Sequence, residues 1–232
     1  MNRDCRLLPY SVADGPNNMA ADESLLHCAV DGTASLRFYG WSQPTLSLGY
    51  FQSEQTRQAD PRLAALPFVR RPSGGAALVH EHEVTYALAL PADSYWNTRK
   101  PWLNKMHAII GAALEKCSVP VQVHRSASGA PYSESWCFLN ITTGDLLVGQ
   151  SKICGSAQRR RSGALLQHGV ILLAVCRHTP ILPGIFELCG RRLDAQEVCA
   201  CVAQEFSIQT GCTLLPADWT PKTRSGAFAI GF

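Results

Sequence analysis

Apolar residues recur at helical spacing in three stretches of the chain. From Asn18 to Val30, Met19, Leu25, Leu26 and Ala29 fall on one side of a helix, with Asn17 or Asn18 placed to cap it. From Trp102 to Cys117, Leu103, Met106, Ile109, Ile110, Ala113 and Leu114 hold the helical period over about four turns, the longest helix the pattern predicts. The stretch from Asp194 to Gly211 is the third.

Between these helices the pattern is that of strands. Ser35–Tyr39 and Thr45–Leu48 read as strands separated by a Trp41-Ser42-Gln43-Pro44 turn, because Pro44 has no N–H to give a central ladder. Phe68–Arg71 and Ala76–His80 read as a pair joined tightly at Ser73, Gly74 and Gly75, and Val84–Leu90 follows. Further strands are expected at Val119–His124, near Phe138–Thr142 and at Asp145–Val148, the last two joined through Thr143-Gly144. Lys152–Gln158 and Gly169–Ala174 complete the set, linked by an Arg-rich turn at Arg159–Ser162. A polar, Gly- and Ser-rich loop from Arg125 to Ser135 is a natural place for function. Clustered strands with helices before, between and after them predict an α+β fold with a central mixed or antiparallel sheet, not a regularly alternating parallel one.

Composition narrows the picture without changing it. A length of 232 residues, 46% of them hydrophobic and 17% charged, suits one globular domain spanning residues 1–232. Met1 to Tyr10 carries Arg3, Asp4 and Arg6 and lacks the apolar core of a secretory signal, and no stretch is long enough to span a bilayer. The expected location is therefore the cytoplasm, with no membrane partner. Ten scattered cysteines in such a chain read as reduced thiols. No two of them have the two-residue gap of a zinc knuckle, so no metal is expected. A formal charge of +3 is too small to argue for nucleic acid.

Four segments carry candidate chemistry. In Arg70-Arg71-Pro72-Ser73-Gly74-Gly75, followed by His80, paired glycines let the backbone approach a ligand and two arginines can meet a carboxylate or phosphate, although a glycine pair is more often a plain turn. In Ser151-Lys152-Ile153-Cys154-Gly155-Ser156-Ala157, Lys152 sits among apolar strand residues, either desolvated beside a thiolate or oxyanion or pointing to water from an edge. In Gln167-His168-Gly169, His168 either orients a substrate or finishes a turn. In Ser135-Trp136-Cys137-Phe138, a cysteine is flanked by aromatics, a setting that more often buries a thiol than activates it.

Together, Asn18 to Leu26, Arg37 to Gln52, RRPSGGAALVHEHEVTY (residues 70–86), KICGSAQ (152–158) and QHGVIL (167–172) resemble the lipoate–protein ligase and octanoyltransferase superfamily, whose catalytic fold is shared with biotin–protein ligases. The resemblance covers nearly the whole chain. It implies a central mixed sheet flanked by helices, with an acyl tunnel between the Arg-Gly-Gly segment and the strand carrying the lysine. Glu83-Val84-Thr85-Tyr86, three residues after His80, is similar to the cysteine-dependent octanoyltransferases rather than the ATP-dependent ligases. Cys137-Phe138, fifteen residues before Lys152, is similar to the pair that carries their nucleophile, although Leu139-Asn140-Ile141 departs from the usual continuation.

The resemblance therefore implies Cys137 and Lys152 as catalytic residues. It implies Arg70, Arg71, Ser73, Gly74, Gly75, His80, Gly155, Ser156, Ala157, His168 and Gly169 as the substrate-binding set. The expected reaction moves octanoyl from an acyl carrier protein to Cys137, then to a lysine of a lipoyl-domain protein such as the glycine cleavage H protein or a 2-oxoacid dehydrogenase E2. In that scheme the Lys152 charge favours the thiolate, backbone N–H groups near Gly75 or Gly155 meet the oxyanion, and neutral Lys152 later takes the amine proton. No cofactor is expected. The alternatives are an ATP- and Mg-dependent lipoate–protein ligase, octanoyl transfer between lipoyl-domain proteins, and a noncatalytic binder of acylated carriers. The stretch beyond Trp219-Thr220-Pro221 is expected to be too short for the accessory domain of many ligases, which weakens the ligase alternative without excluding it, since some ligases keep that domain on another polypeptide. Cys154 is read as a packing residue, and Arg159-Arg160-Arg161 either docks an acidic carrier or forms a solvated turn.

Overall fold

Two long strands with every residue buried form the centre of the molecule, and the rest of the chain is laid against them. The computed structural model describes residues 4–58, 60–93, 95–97, 100–125 and 136–219. In chain order these form β1 (Asp4–Leu7), β2 (Ser11–Ala13), α1 (Gly15–Val30), β3 (Ser35–Trp41), β4 (Thr45–Leu48), α2 (Gln55–Gln58), α3 (Pro61–Ala64) and β5 (Phe68–Arg70). Then come β6 (Leu78–His80), β7 (Glu83–Leu90), α4 (Trp102–Lys116), β8 (Val121–Val123), a 3₁₀ turn at Cys137–Leu139 and β9 (Leu146–Val148). The last elements are β10 (Ser151–Arg161), β11 (Ala164–Leu172), α5 (Ile185–Cys189), α6 (Ala195–Thr210) and β12 (Thr213–Pro216).

The main sheet runs β12-β1-β3-β7-β11-β10-β9-β8, with β2 also paired to β3. Pairs from β3 to β8 are antiparallel, whereas β1 pairs in parallel with both β12 and β3, which makes the sheet mixed as expected. Register sets its two faces. Tyr39, Thr85 and Val170 share one row with Gly155, and Ala87, His168 and Ala157 the next, on the face covered by α1. Phe38, Tyr86, Leu88 and Ile171 point the other way, against Met106, Ile109 and Ile110 of α4 and Phe206 of α6.

Helix α4 ends within a residue of its expected bounds because its apolar stripe is the face it buries. Helix α1 starts earlier than predicted. Asp14 is the cap, its carboxylate accepting from the Asn17 amide at 2.9 Å, and Pro16 occupies the first turn, where a missing N–H costs nothing. Asn18, expected as a cap, is buried inside the helix, where its amide donates to the carbonyls of Ala13 and Gly40.

Three local expectations are corrected. The strands at Phe68–Arg70 and Leu78–His80 do not form a hairpin, since β4 lies between them, parallel to β5 and antiparallel to β6. Arg159–Arg161 belongs to β10 rather than to a turn, which is confined to Ser162 and Gly163. Phe138–Thr142 is not a strand, because its backbone coils into the 3₁₀ turn with Asn140 N–H donating to the Cys137 carbonyl at 3.1 Å. Of the loop at Arg125–Ser135, residues 126–135 lie outside the described residues.

The crossing of β4 by the segment after β5 brings Gly49 against Gly75. A methyl group on Gly49 would collide with the Gly75 carbonyl oxygen, whereas one on Gly74 meets nothing within 4 Å. Gly49→Ala should therefore lose about 1–3 kcal/mol of stability in urea unfolding. Gly74→Ala should stay within about 0.5 kcal/mol, and equal losses would show that the crossing is not tightly packed.

Candidate active site

A cavity opens on the α1 face of the sheet where strands of both sheets meet. Its apolar walls are Met19 of α1, Leu78 of β6, Phe138 and Val170, with Tyr39 and Trp41 of β3. Its polar walls are Ser47, Arg71, His80, Thr85 and His168, and the backbone of β10 and β11 passes at Gly155, Ser156, Ala157 and Gly169. Cys137 completes the lining.

Two buried histidines each lie between a carboxylate and a hydroxyl. His168 Nδ1 donates to Asp22 Oδ2 at 2.9 Å, which turns Nε2 toward Ser73 Oγ. Asp22 also receives the Tyr39 hydroxyl at 2.9 Å and Arg37 at 3.2 Å, so its charge is fully engaged under α1. His80 Nδ1 meets Glu83, its Nε2 lies 2.6 Å from Ser47 Oγ, and its ring stacks on Trp41 at 3.9 Å between centroids. Trp41 Nε1 donates to Thr85, which donates in turn to Glu83. Arg71 closes this side by donating to the Ser47 carbonyl and hydroxyl and to the carbonyls of Gly74 and Ala76.

Cys137 sits half-buried at the head of its 3₁₀ turn, where its N–H donates to the Ala77 carbonyl at 2.9 Å and its side chain packs beside Leu78, Phe138 and Val170. Lys152 holds the same turn from the other end. Nζ donates to the Asn140 carbonyl at 2.9 Å, pairs with Asp145 Oδ2 at 2.8 Å and lies 5.3 Å from the Phe138 ring centre. A bulge in β10 between Lys152 and Cys154 shifts the alternation, so Lys152 lies across Gly155 on the cavity face. Any side chain at Gly155 would strike it, its Nζ being 2.8 Å from where a Cβ would stand. Asp145 in turn accepts from the Thr142 N–H and hydroxyl, at 2.7 and 3.0 Å.

Of the expected set, Arg71, His80, Cys137, Gly155, Ser156, Ala157, His168 and Gly169 border the cavity. Ser73 reaches it through His168, and Lys152 lies behind Gly155. Arg70 is elsewhere: it is exposed and donates to the carbonyls of Gly49, Tyr50 and Gln52. Gly75 forms the crossing over Gly49, and Gly74, whose carbonyl accepts from Arg71, also lies off the cavity wall. The Ser156 hydroxyl is turned to the α4 face, between the Tyr86 hydroxyl and His107 Nε2, both at 2.6 Å. Burial lowers the His107 pKa, and Nδ1 donates to the Gly144 carbonyl at 2.6 Å. Cys154 is fully buried, which pushes its thiol well up and leaves it inert, in keeping with a packing role.

Asp22, Glu83 and Asp145 went unassigned in the sequence. Asp22 had a signal, a carboxylate on the side of α1 that also carries apolar residues. Asp145 had another, lying three residues after Thr142 as in a side-chain-closed turn.

Residues 14–179 match the family described as the lipoyl protein ligase A/B catalytic domain, so the chain belongs to that family. It is 35% identical to the octanoyltransferase LipM of Moorella thermoacetica over 179 residues, covering 73% of this chain and 65% of that protein. It is 30% identical to LipM of Symbiobacterium thermophilum over 243 residues, covering 100% of this chain and 86% of the relative. Its fold is shared with protein Ta0514 of T. acidophilum, solved with bound lipoic acid, at a TM-score of 0.79 and 19% identity over 98% of this chain and 94% of that one.

The ion pair under Gly155 generates a test. Side chains of Lys152 and Asp145 are 5% and 4% exposed, so Lys152→Ala leaves a buried carboxylate uncompensated and should cost about 3–5 kcal/mol in chemical denaturation. Adding Asp145→Asn to that variant should recover part of the loss, and strictly additive effects would show that the two groups do not act as a pair.

Proposed function

We propose that this protein carries an octanoyl group as a thioester on Cys137, taking it from an acyl carrier protein and passing it to a lysine of a lipoyl domain. Octanoyl transfer in lipoate assembly is the activity that the family and its octanoyltransferase relatives support. The observation that carries the cysteine chemistry is that Cys137 is the one cysteine among the described residues that lines the cavity.

The thiolate of Cys137 attacks the thioester carbonyl carbon. A bond forms to Cys137 Sγ, the bond to the carrier sulfur breaks, and the departing carrier thiolate takes up the proton that Cys137 gave up. The acceptor amine then attacks the acyl-enzyme, a C–N bond forms, Cys137 leaves as thiolate, and the amine proton restores its thiol. The thioester is already activated, so these steps draw on neither ATP nor metal. Lys152 serves as the cation that fixes the Cys137 turn through the Asn140 carbonyl, with Asp145 as its anchor. Bordered by Met19, Leu78, Phe138 and Val170, the cavity offers the acyl chain an apolar bed. Its volume is about 50 Å³, so an acyl chain fits only if walls such as the flexible Met19 side chain part. Among the described residues no helix is long and apolar enough to cross a membrane.

Incubation with octanoyl acyl carrier protein, without ATP, should add one octanoyl group to the intact mass of the protein and none to Cys137→Ala. An adduct that persists in the variant moves the nucleophile elsewhere. Transfer that requires ATP and free lipoate restores the ligase alternative.

A further inference from the structure

Phe51 is 88% exposed and Tyr50 48%, an aromatic pair set edge to face at 5.0 Å and 83°. Their loop is held firmly. Arg70 donates to the carbonyls of Gly49, Tyr50 and Gln52 at 3.0, 3.3 and 2.6 Å, the Gly49 N–H donates to the Gln52 side chain at 2.9 Å, and the Tyr50 N–H donates to the Ser73 carbonyl at 2.9 Å. A large apolar ring fixed in water is unfavourable by the free energy its burial would release, and such rings mark contact surfaces.

The surroundings are cationic. The Arg159 guanidinium lies over the Tyr50 ring at 5.4 Å, Arg161 follows two residues along the same face of β10, and Arg70 supports the loop from behind. All three are exposed, and among the described residues none of them is in an ion pair. Between Asp31 and Asp60 the sequence holds a single acidic residue, Glu54.

This surface borders the cavity. Gly155 and Ala157 line it, and Arg159 is the next residue on that face of β10, roughly 7 Å farther along the strand. Ser73, whose carbonyl holds Tyr50, has its hydroxyl on His168 in the cavity wall. We infer that Tyr50, Phe51, Arg159 and Arg161 dock the acidic carrier domain that brings the acyl thioester to Cys137. This rests on the acyl transfer proposed above. Aromatic rings supply contact area, and the arginines select a negatively charged partner and speed its encounter.

The test compares two acyl donors: octanoyl acyl carrier protein and octanoyl-N-acetylcysteamine, a short thioester with no protein attached. Arg159→Glu and Phe51→Ser should each lower kcat/KM for acylation by the carrier about tenfold, mainly through KM, and leave acylation by the short thioester within about twofold. Added salt should slow the carrier reaction of the unaltered protein more than that of Arg159→Glu. Equal slowing with both donors would overturn the inference, since it marks a change inside the site. So would normal acylation by the carrier with slowed release to a lipoyl domain from preformed acyl-enzyme, which would make this the acceptor's surface. Failure of both donors to acylate the unaltered protein would instead sink the transfer reading, and the docking inference with it.

Discussion

A lysine and an aspartate, each nearly closed off from water, can share the interior only as a pair, and Lys152 with Asp145 forms that pair at 2.8 Å. Each partner also holds a separate stretch of main chain. Asp145 closes the turn at Thr142, and Lys152 reaches the Asn140 carbonyl at the end of the Cys137 turn. Removing either charge would leave the other buried and alone. The position of the Cys137 sulfur beside the cavity therefore follows from an electrostatic requirement as much as from the packing of Phe138. A bulge in β10 and a bare Gly155 are the geometric terms on which the pair fits.

The other charged groups on this face obey the same rule. Asp22 is surrounded by Arg37, Tyr39 and His168, and Glu83 by His80 and Thr85. Both carboxylates hold an imidazole with its far nitrogen toward a serine, so the polar wall presents rings of fixed orientation. Trp41, at the end of a main-sheet strand, lies flat on His80, at the end of a strand of the small sheet. The two sheets thus meet through a stacked pair that also forms part of the cavity.

Elements whose apolar stripe is also their buried face were legible in the sequence. Helix α4 is such a case, since periodicity and burial coincide there. The strands flanking Ser73-Gly74-Gly75 were misjoined because local turn chemistry favours a hairpin, whereas β4 supplies partners for both from a distance. Phe138–Thr142 has a strand's composition but spends the Asn140 carbonyl on Lys152, and short strands such as β1, β2 and β12 hold too few residues to show a period. Cys137 was singled out only by likeness to a family, since one thiol in ten has no distinguishing pattern. Asp22 and Asp145 were missed because a buried carboxylate is recognised by its partners, and those lie elsewhere in the chain.

Helix α1 joins two duties that pull against each other. Met19 borders the greasy space and Asp22, one turn later, anchors Arg37, Tyr39 and His168. Sliding the helix outward to admit a bulkier cargo would strand a carboxylate with no water to receive it. A lineage that changes the size of group it handles is therefore driven to exchange side chains at places such as Leu78 or Val170, one methylene at a time, while the helix keeps its seat.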